Sequence, residues 1–315
     1  MPKKIITVFY IGPECGFKAI QGSIPDHINV ITSKPELKSV SKKIKYAHAF
    51  IDASMKIPIN QKILRLAKKL QVISTATTGS DHIDMIYAKS IGIKVFTLKE
   101  DKDLLQNLTP AAELSWALLM AVARKITAAS KHVNSGLWNR DDFPGIMLKE
   151  KTLGIVGCGR LGQWMARYGS AFGMNVQGYD PFVKPWPKSI KKISLDQLFM
   201  TSDFISIHVH LTNETKGLIS SDLIGIIKQG SILINTSRGK IIDELALLNA
   251  LKSNQIAGAG LDVLDGEPYI KAHPLVEYSI NNSNLIITPH CGGYSPDAVK
   301  IVCQRAMEKV ITYLN

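Results

Sequence analysis

A glycine-rich turn is the first segment of this sequence whose residue types and spacing suggest chemistry. Residues 157–162 read GCGRLG and match the pattern G-x-G-x-x-G, between a short apolar run and a segment with helical spacing. In that context Gly157 permits a tight turn, Gly159 lets a pyrophosphate approach the backbone, and Gly162 allows a helix to pack closely on a strand. The helix N-terminus, with Arg160 and Leu161 in its first turn, then presents N–H groups to the anion. The turn therefore predicts a dinucleotide site.

An acidic residue stands where such a turn predicts one. Asp180 follows the apolar run 175–179 and lies 18 residues after Gly162. A carboxylate there accepts hydrogen bonds from the adenine ribose hydroxyls and repels a 2′-phosphate, which favours NAD over NADP. We interpret the lysines between residues 184 and 192 as part of a solvated loop.

Three further polar residues lie where predicted strands end or loops begin. Arg238 follows the apolar run 231–235, Glu267 lies in a turn at 265–268, and His290 follows the run 285–288. Ligands of open α/β sheets bind beyond the carboxyl ends of strands, so these side chains are expected to converge. An imidazole moves protons near neutral pH, and a guanidinium binds a carboxylate through two hydrogen bonds.

The elements that must position these residues follow from hydrophobic patterning. Short β-branched runs alternate with helical patterns, which predicts parallel βαβ units. Strands are expected over 4–10, 28–32, 47–51, 72–76 and 94–96, and again over 153–156, 175–179, 204–207, 231–235, 257–261 and 285–288. Helices are expected over 60–70, after the turn with Leu161, Met165, Tyr168 and Phe172 on one face, and from Ser295 to Leu314.

A long helix is expected between the two runs of strands. Thr109 is its predicted cap, Pro110 suits its first turn, and Arg124 and Lys125 lie near its C-terminus. It is either a hinge or subunit contact, or an ordinary packed helix.

Composition excludes several classes of protein. The 315 residues are 45% hydrophobic and 20% charged, which allows two packed domains and excludes disordered and fibrous chains. The net charge is +12, but the lysines are scattered and no block of like charges appears, so nucleic-acid binding is not expected. The four cysteines fit no metal-ligand spacing, and no apolar run approaches the roughly 18 residues that cross a bilayer. With no secretory signal visible, we expect a cytoplasmic protein with free thiols and no metal or membrane partner.

The ordered motifs resemble one known family. They read TGSDHID at 78–84, NLTPAAE at 107–113, the nucleotide fingerprint at 154–180, SDFISIH at 202–208, INTSRG at 234–239, GLDV at 260–263 and ITPHCGG at 287–293. In this order and spacing the sequence resembles the D-isomer-specific 2-hydroxyacid dehydrogenases, which include glyoxylate/hydroxypyruvate reductases and phosphoglycerate dehydrogenases. The resemblance implies two doubly wound parallel-sheet α/β domains. Residues 1–104 plus 292–315 would form a flavodoxin-like substrate domain, and residues 105–291 an inserted NAD-binding Rossmann domain.

The resemblance also implies roles for individual residues. His290 would be the acid that protonates the substrate carbonyl oxygen, Glu267 its partner, and Arg238 the cation that binds the substrate carboxylate. Backbone N–H groups of Thr78 and Gly79 would contact that carboxylate too. Further cofactor contacts are implied for His208, Thr236, Asp262, His290 and Gly292, with Asp262 at the nicotinamide carboxamide. His82, His210 and His273 are expected to be non-catalytic.

Several functions stay open at the level of sequence. The first is NAD-dependent transfer of a hydride between NAD(H) and a small 2-hydroxy or 2-oxo acid of the glyoxylate, hydroxypyruvate or pyruvate class. The second is D-3-phosphoglycerate dehydrogenase, against which stand the missing arginine at 52–56, where Lys56 is the nearest cation, and the chain's end 25 residues after His290. Phosphite oxidation is also open, whereas Glu267 argues against formate dehydrogenases of this fold, which carry Gln there. A NAD-sensing binding protein like the C-terminal binding corepressors is the non-enzyme alternative.

The family pattern suggests a homodimer through the second domain. Residues 136–138, which read GLW, resemble the arm that crosses to a partner. The family usually has Pro where this chain has His210, so the loop beside the adenosine is expected to differ.

Overall fold

The computed structural model describes residues 5–22 and 24–314, and the chain divides into two compact units. The first unit runs to Leu108 and resumes at Gly293, and the second comprises Thr109–Gly292. The second unit is therefore inserted into the first along the sequence. The borders predicted from the sequence, 104/105 and 291/292, lie within a few residues of these.

Strands and helices alternate along the described residues of both units. The strands are β1 (Ile6–Ile11), β2 (Ile28–Thr32), β3 (Ala49–Asp52), β4 (Val72–Thr75), β5 (Lys94–Phe96), β6 (Thr152–Val156), β7 (Asn175–Tyr179), β8 (Lys191–Lys192), β9 (Phe204–Ile207), β10 (Ser231–Asn235), β11 (Ile256–Leu261) and β12 (Leu285–Ile287). The helices are α1 (Glu14–Gln21), α2 (Leu37–Lys43), α3 (Gln61–Leu64), α4 (Met85–Ser90), α5 (Lys102–Gln106), α6 (Pro110–Ala123), α7 (Ile126–Asn134), α8 (Arg160–Ala171), α9 (Leu195–Thr201), α10 (Ser221–Gly225), α11 (Glu244–Lys252), α12 (Pro274–Asn281) and α13 (Pro296–Leu314).

A parallel sheet lies at the centre of the first unit. Within the described residues its strands pair in the order β2-β1-β3-β4-β5, which is the flavodoxin-like doubly wound order. Side chains of β1 alternate between two cores: Phe9 and Ile11 pack into one, and Val8 and Tyr10 into the other with α13. Both faces of the sheet are therefore covered, as the apolar strand sequences predicted.

The second unit, all of whose residues are described, contains a seven-stranded parallel sheet. Its order is β12-β11-β10-β9-β6-β7-β8. The strand order reverses at β6, because β7 lies on one side of it and β9, the strand that follows β8 in the sequence, lies on the other. This is the Rossmann order, with β12 added beyond β11. Two cores cover its faces, one around Phe204 and Ile234 and the other around Ile207 and Leu261. The α/β class with two doubly wound parallel sheets is confirmed.

Two predictions about the first unit are wrong in detail. The helix predicted over 60–70 ends at Leu64, because the chain continues in turns whose N–H groups bond three residues back, as from Ala67 to the Leu64 carbonyl. The strand predicted from residue 47 begins at Ala49, because the Ala47 N–H closes a 3-10 turn on Ile44. Lys4, the first residue of the strand predicted over 4–10, lies outside the described residues.

Three predictions about the second unit also need correction. Thr109 precedes α6 in helical rather than extended conformation, so its hydroxyl donates to Glu113 instead of accepting a helix N–H. The buried residues of α8 are Gly162, Met165, Ala166 and Gly169, so of the predicted apolar stripe Met165 is fully buried, whereas Phe172 is 45% exposed. Lys191 and Lys192, which are predicted from the sequence to lie in a solvated loop, instead form the exposed edge strand β8, which pairs with β7.

No helix within the described residues is both long enough and apolar enough to span a membrane. All four cysteines are free thiols.

Candidate functional site

The glycine turn occupies the point where the strand order of the second unit reverses. Gly157 has φ +92°, and a Cβ on it would lie 2.4 Å from the His208 carbonyl oxygen. A Cβ on Gly162 would lie 2.1 Å from the Gly157 carbonyl oxygen. At Gly159, by contrast, no described atom lies within 4 Å of a Cβ position. The first and third glycines are thus required by the protein's own backbone, whereas the second faces open space.

The residues around this space suit a dinucleotide. Gly159 caps α8, whose first residues are Arg160 and Leu161, so the helix N-terminus faces the ligand position. Burial lowers the pKa of Arg160, although a guanidinium stays charged at any physiological pH.

Asp180 lies beside the turn and ties it to the loop after β7. Its Oδ2 accepts the Cys158 N–H at 2.9 Å, and its Oδ1 accepts the N–H groups of Phe182 and Val183 at 2.8 and 3.0 Å. Each carboxylate oxygen has two lone pairs, so Oδ2 retains capacity for a ribose hydroxyl. The predicted ribose contact is compatible with this geometry.

His208 and Thr236 end two neighbouring strands of the same sheet. The His208 N–H donates to the Val156 carbonyl at 2.7 Å, and its Nε2 lies 2.7 Å from the Ser206 Oγ. Burial lowers the pKa of His208 to about 3, so the ring is neutral. Thr236 Oγ1 lies 2.7 Å from Ser115 Oγ on α6. Both residues are thus held by their own domain at the edge where cofactor contacts are expected.

His290 and Glu267 form a direct pair. His290 Nδ1 hydrogen bonds to Glu267 Oε1, and each side chain is about one third exposed. His290 has φ +53°, a left-handed conformation that is uncommon outside glycine and recurs at functional sites. With Nδ1 engaged, Nε2 is the nitrogen that can exchange a proton with a ligand.

The strained backbone at His290 is held by Asp262, which is 1% exposed. The His290 N–H donates to the Asp262 carbonyl at 2.9 Å. The Asp262 carboxylate accepts the Thr288 hydroxyl at 2.6 Å and the N–H groups of Cys291 and Gly292 at 2.9 and 2.7 Å. Asp262 thus positions the loop that carries His290. The nicotinamide contact predicted for it stays a prediction.

Arg238 lies directly beside the loop that carries Glu267. Its Nη1 donates to the Ser237 carbonyl at 2.7 Å, and its own carbonyl accepts from Asn235 Nδ2 at 3.0 Å. The next residue, Gly239, packs on that loop so closely that a Cβ would lie 2.1 Å from Asp265 N. The second unit therefore brings Arg238, Glu267 and His290 onto three loops at one edge of its sheet.

The predicted substrate residues Thr78 and Gly79 lie in the loop after β4 of the first unit. Thr77 holds this loop, because its hydroxyl donates to the Gly79 carbonyl at 2.9 Å. His82 Nε2 lies 3.1 Å from Asp52 Oδ2, in a buried pair. Thr78 and Gly79 stay predictions as carboxylate ligands.

Two further residues contact the segment that carries Glu267. Glu244 Oε1 accepts the Asp265 N–H at 2.9 Å, and Glu244 Oε2 lies 2.9 Å from His273 Nε2. The sequence predicts His273 to be non-catalytic, and no motif singles out Glu244. The signal available in the sequence was a histidine directly before Pro274, which marks a helix cap.

Comparison with known proteins gives a consistent result. A family model described as "D-isomer specific 2-hydroxyacid dehydrogenase, NAD binding domain" matches residues 116–292. The glyoxylate reductase of Thermococcus litoralis is 34% identical over 311 residues, covering 96% of this chain and 91% of that protein. The D-lactate dehydrogenase of Aquifex aeolicus, solved in complex with NAD and lactic acid, has a TM-score of 0.83 at 26% identity and covers 98% of this chain and 95% of its own.

Another relative is longer than this chain. The D-3-phosphoglycerate dehydrogenase of Mycobacterium leprae is 34% identical over 295 residues, which are 93% of this chain and 52% of that protein. The chain thus spans about half the length of that relative.

The second unit is an NAD-binding domain.

Proposed function

Because the chain belongs to the D-isomer specific 2-hydroxyacid dehydrogenase family, we propose that it transfers a hydride between NAD(H) and a small 2-hydroxy or 2-oxo acid. The observation that carries the proposal is the His290–Glu267 pair at the same sheet edge as Arg238 and the glycine turn. The substrate class we favour is glyoxylate, hydroxypyruvate or pyruvate, since relatives of comparable length include a glyoxylate reductase and a hydroxypyruvate reductase.

The protein's own groups supply the remainder of the reaction. NADH, when bound, supplies the hydride that adds to the carbonyl carbon. His290 donates the proton to the carbonyl oxygen from Nε2 and takes it back in the reverse direction. Glu267 fixes the ring through Nδ1 and stabilises the imidazolium. Arg238 binds the substrate carboxylate, a task that suits the planar guanidinium.

The cofactor roles follow the same sheet edge. The open space at Gly159 and the N-terminus of α8 would bind the pyrophosphate, and Asp180 would bind the adenine ribose. Further cofactor contacts would come from His208, Thr236, Asp262 and Gly292. The Asp180 carboxylate favours NAD over NADP.

The experiment is a panel of 2-oxo acids assayed with NADH and with NADPH. We expect NADH oxidation with at least one of them, and a loss of roughly a hundredfold or more in kcat for His290→Gln with NADH binding kept. His27→Gln, in the first unit just before β2, is the matched control. Wild-type turnover in His290→Gln would refute the acid assignment. Tight NADH binding without turnover on the whole panel would support a NAD-sensing protein.

D-3-phosphoglycerate dehydrogenase is the second candidate. It is supported by relatives of that name that are 34% to 37% identical to this chain. Against it, residues 52–56 contain no arginine, and Lys56 is the nearest cation in that loop. The same panel with 3-phosphoglycerate and NAD separates the two, since only this candidate requires the phosphate.

We further propose a cytoplasmic homodimer formed through the second unit. Leu137 and Trp138 are 54% and 89% exposed, and Ile126, Val133 and Met147 nearby in the sequence are also largely exposed. These exposed apolar side chains support a contact through this stretch of the second unit, and a two-fold contact is the usual case for oligomers. Sedimentation equilibrium measures the mass directly.

A further inference from the structure

The segment between Asp265 and His273 carries Glu267 and is mostly exposed. Within it Tyr269 is 88% exposed, and tight turns replace regular structure. Segments with few buried apolar contacts open easily. A carboxylate that must hold His290 in place therefore needs its loop restrained by other contacts.

Glu244, the first residue of α11, contacts both ends of this segment. One carboxylate oxygen, Oε1, accepts the Asp265 N–H at 2.9 Å, and the other, Oε2, lies 2.9 Å from His273 Nε2. The Glu244 and His273 side chains are 15% and 12% exposed. Burial raises the pKa of Glu244, whereas the two hydrogen-bond partners oppose that shift. A partly buried carboxylate with both oxygens engaged is a rigid attachment point.

His273 is fixed on its other side as well. Its Nδ1 accepts the Leu275 N–H at 3.3 Å and so caps α12. An accepting Nδ1 places the ring proton on Nε2, where it is donated to Glu244. The ring therefore connects the N-terminus of α12 to the N-terminus of α11.

The same segment contacts the other proposed catalytic groups. Gly239, next to Arg238, packs on the backbone of Leu264 and Asp265 at distances that leave no room for a Cβ. Glu267 Oε2 accepts the Leu264 N–H at 3.2 Å, and Glu267 Oε1 bonds to His290. Any shift of Asp265 would therefore move both the Arg238 turn and the Glu267 carboxylate.

We propose that Glu244 and His273 are positioning residues that hold the 265–273 segment so that Glu267 can orient His290. This inference rests on the proposed function for its kinetic readout. Neither residue touches substrate or cofactor in this role. The pair acts through the backbone of Asp265, and its loss lowers turnover without changing cofactor binding.

Two variants test the proposal. His273→Asn keeps a side-chain oxygen that can cap α12, since Asn is a favoured cap, but is too short to replace Nε2 at Glu244. Glu244→Ala removes both contacts. Ser220→Ala, which removes the cap of α10, is the matched control for loss of a helix cap. We expect kcat to fall about tenfold in both test variants, with NADH affinity unchanged and Ser220→Ala at wild-type turnover.

A spectroscopic readout is independent of catalysis. The hydrogen-bonded His290 Nδ1 proton should give a low-field NMR signal, assigned by its absence in His290→Gln. We expect the signal to broaden or shift in His273→Asn and Glu244→Ala and to stay in Ser220→Ala. Unchanged kcat and an unchanged signal in His273→Asn would overturn the proposal, even if Glu244→Ala failed to fold. Wild-type inactivity on every oxo acid would defeat the proposed function alone, because the NMR signal still decides the positioning role.

Discussion

The two doubly wound units differ at their topological switch points: the turn of the second unit is rich in glycine and open, whereas that of the first is filled by a tyrosine. In the second unit the turn after β6 has three glycines and an open space at Gly159. In the first unit the turn after β1 is closed: the Tyr10 hydroxyl donates to the Pro13 carbonyl at 2.8 Å and would lie 2.5 and 2.4 Å from a Cβ on Gly12 and Gly16. Pro13 has no N–H to offer, and Glu14 places a negative charge at the start of α1.

This difference shows that topology supplies a position for a ligand and that residue types decide whether it is used. Both turns lead from a central parallel strand into a helix, where anions commonly bind. The first turn is filled by a fully buried tyrosine, Tyr10. The second turn leaves open space at Gly159. We therefore assign nucleotide binding to the second unit on its residues rather than on its strand order.

The largest expected effect comes from filling the open space. Gly159→Ala adds a methyl group that meets no described atom, so the free energy of unfolding should stay unchanged. The same methyl group blocks the approach of a pyrophosphate, and we expect NADH affinity to fall roughly a hundredfold, or about 2.7 kcal/mol. Isothermal titration with NADH measures the change. Unchanged affinity would show that the space is not the pyrophosphate site.

The matching substitution in the first unit, Gly12→Ala, should lower the free energy of unfolding without changing NADH affinity. A Cβ in Gly12→Ala would lie 2.5 Å from the Tyr10 hydroxyl oxygen and 2.6 Å from the Ala53 Cβ, in a site that is already filled. Such overpacking costs about 2 kcal/mol. Gly22→Ala, which meets no described atom within 4 Å, is the matched control.

The tryptophans allow the two units to be followed separately. All four of them, Trp116, Trp138, Trp164 and Trp186, lie in the second unit. Gly12→Ala should therefore lower the unfolding midpoint seen by far-UV circular dichroism and leave the tryptophan fluorescence transition and NADH affinity in place. A weakened NADH affinity in Gly12→Ala would contradict the division of roles.

The smallest effect concerns pH. A buried titratable group beside each turn has a shifted pKa: burial raises the pKa of Tyr10, which stays neutral, and lowers the pKa of His208 to about 3. Between about pH 6.5 and 3 the unfolded chain takes up a proton at His208 that the folded chain refuses, so acidification destabilises the second unit. We expect a loss of about 1 kcal/mol between pH 7.5 and 5.5.

His208→Gln should remove this loss of unfolding free energy on acidification. Urea unfolding followed by tryptophan fluorescence at the two pH values measures it, with the variant compared to wild type at each pH. An equal loss in both proteins would show that another group is responsible.

Much of the fold could be predicted from the sequence, whereas the roles of the site residues stay predictions. The strands β2, β5, β7, β9 and β10 have the predicted bounds. Of these, β9 and β10 are buried along their whole length, and such apolar runs are distinct in sequence. The predicted helix over 60–70 fails because the apolar spacing of Leu64, Ala67 and Leu70 is that of turns with bonds three residues back. The edge strand β8 was missed because two exposed lysines carry no apolar signal.

The sequence by itself determined the glycine turn and the polar residues at strand ends, because both follow from local backbone requirements. Only the tertiary structure showed that Asp262 holds the His290 loop and that Glu244 joins Asp265 to His273. These contacts connect residues 21 to 30 positions apart. Which elements become neighbours depends on the order of strands in the sheet, and a side chain finds its partner only after that order is set.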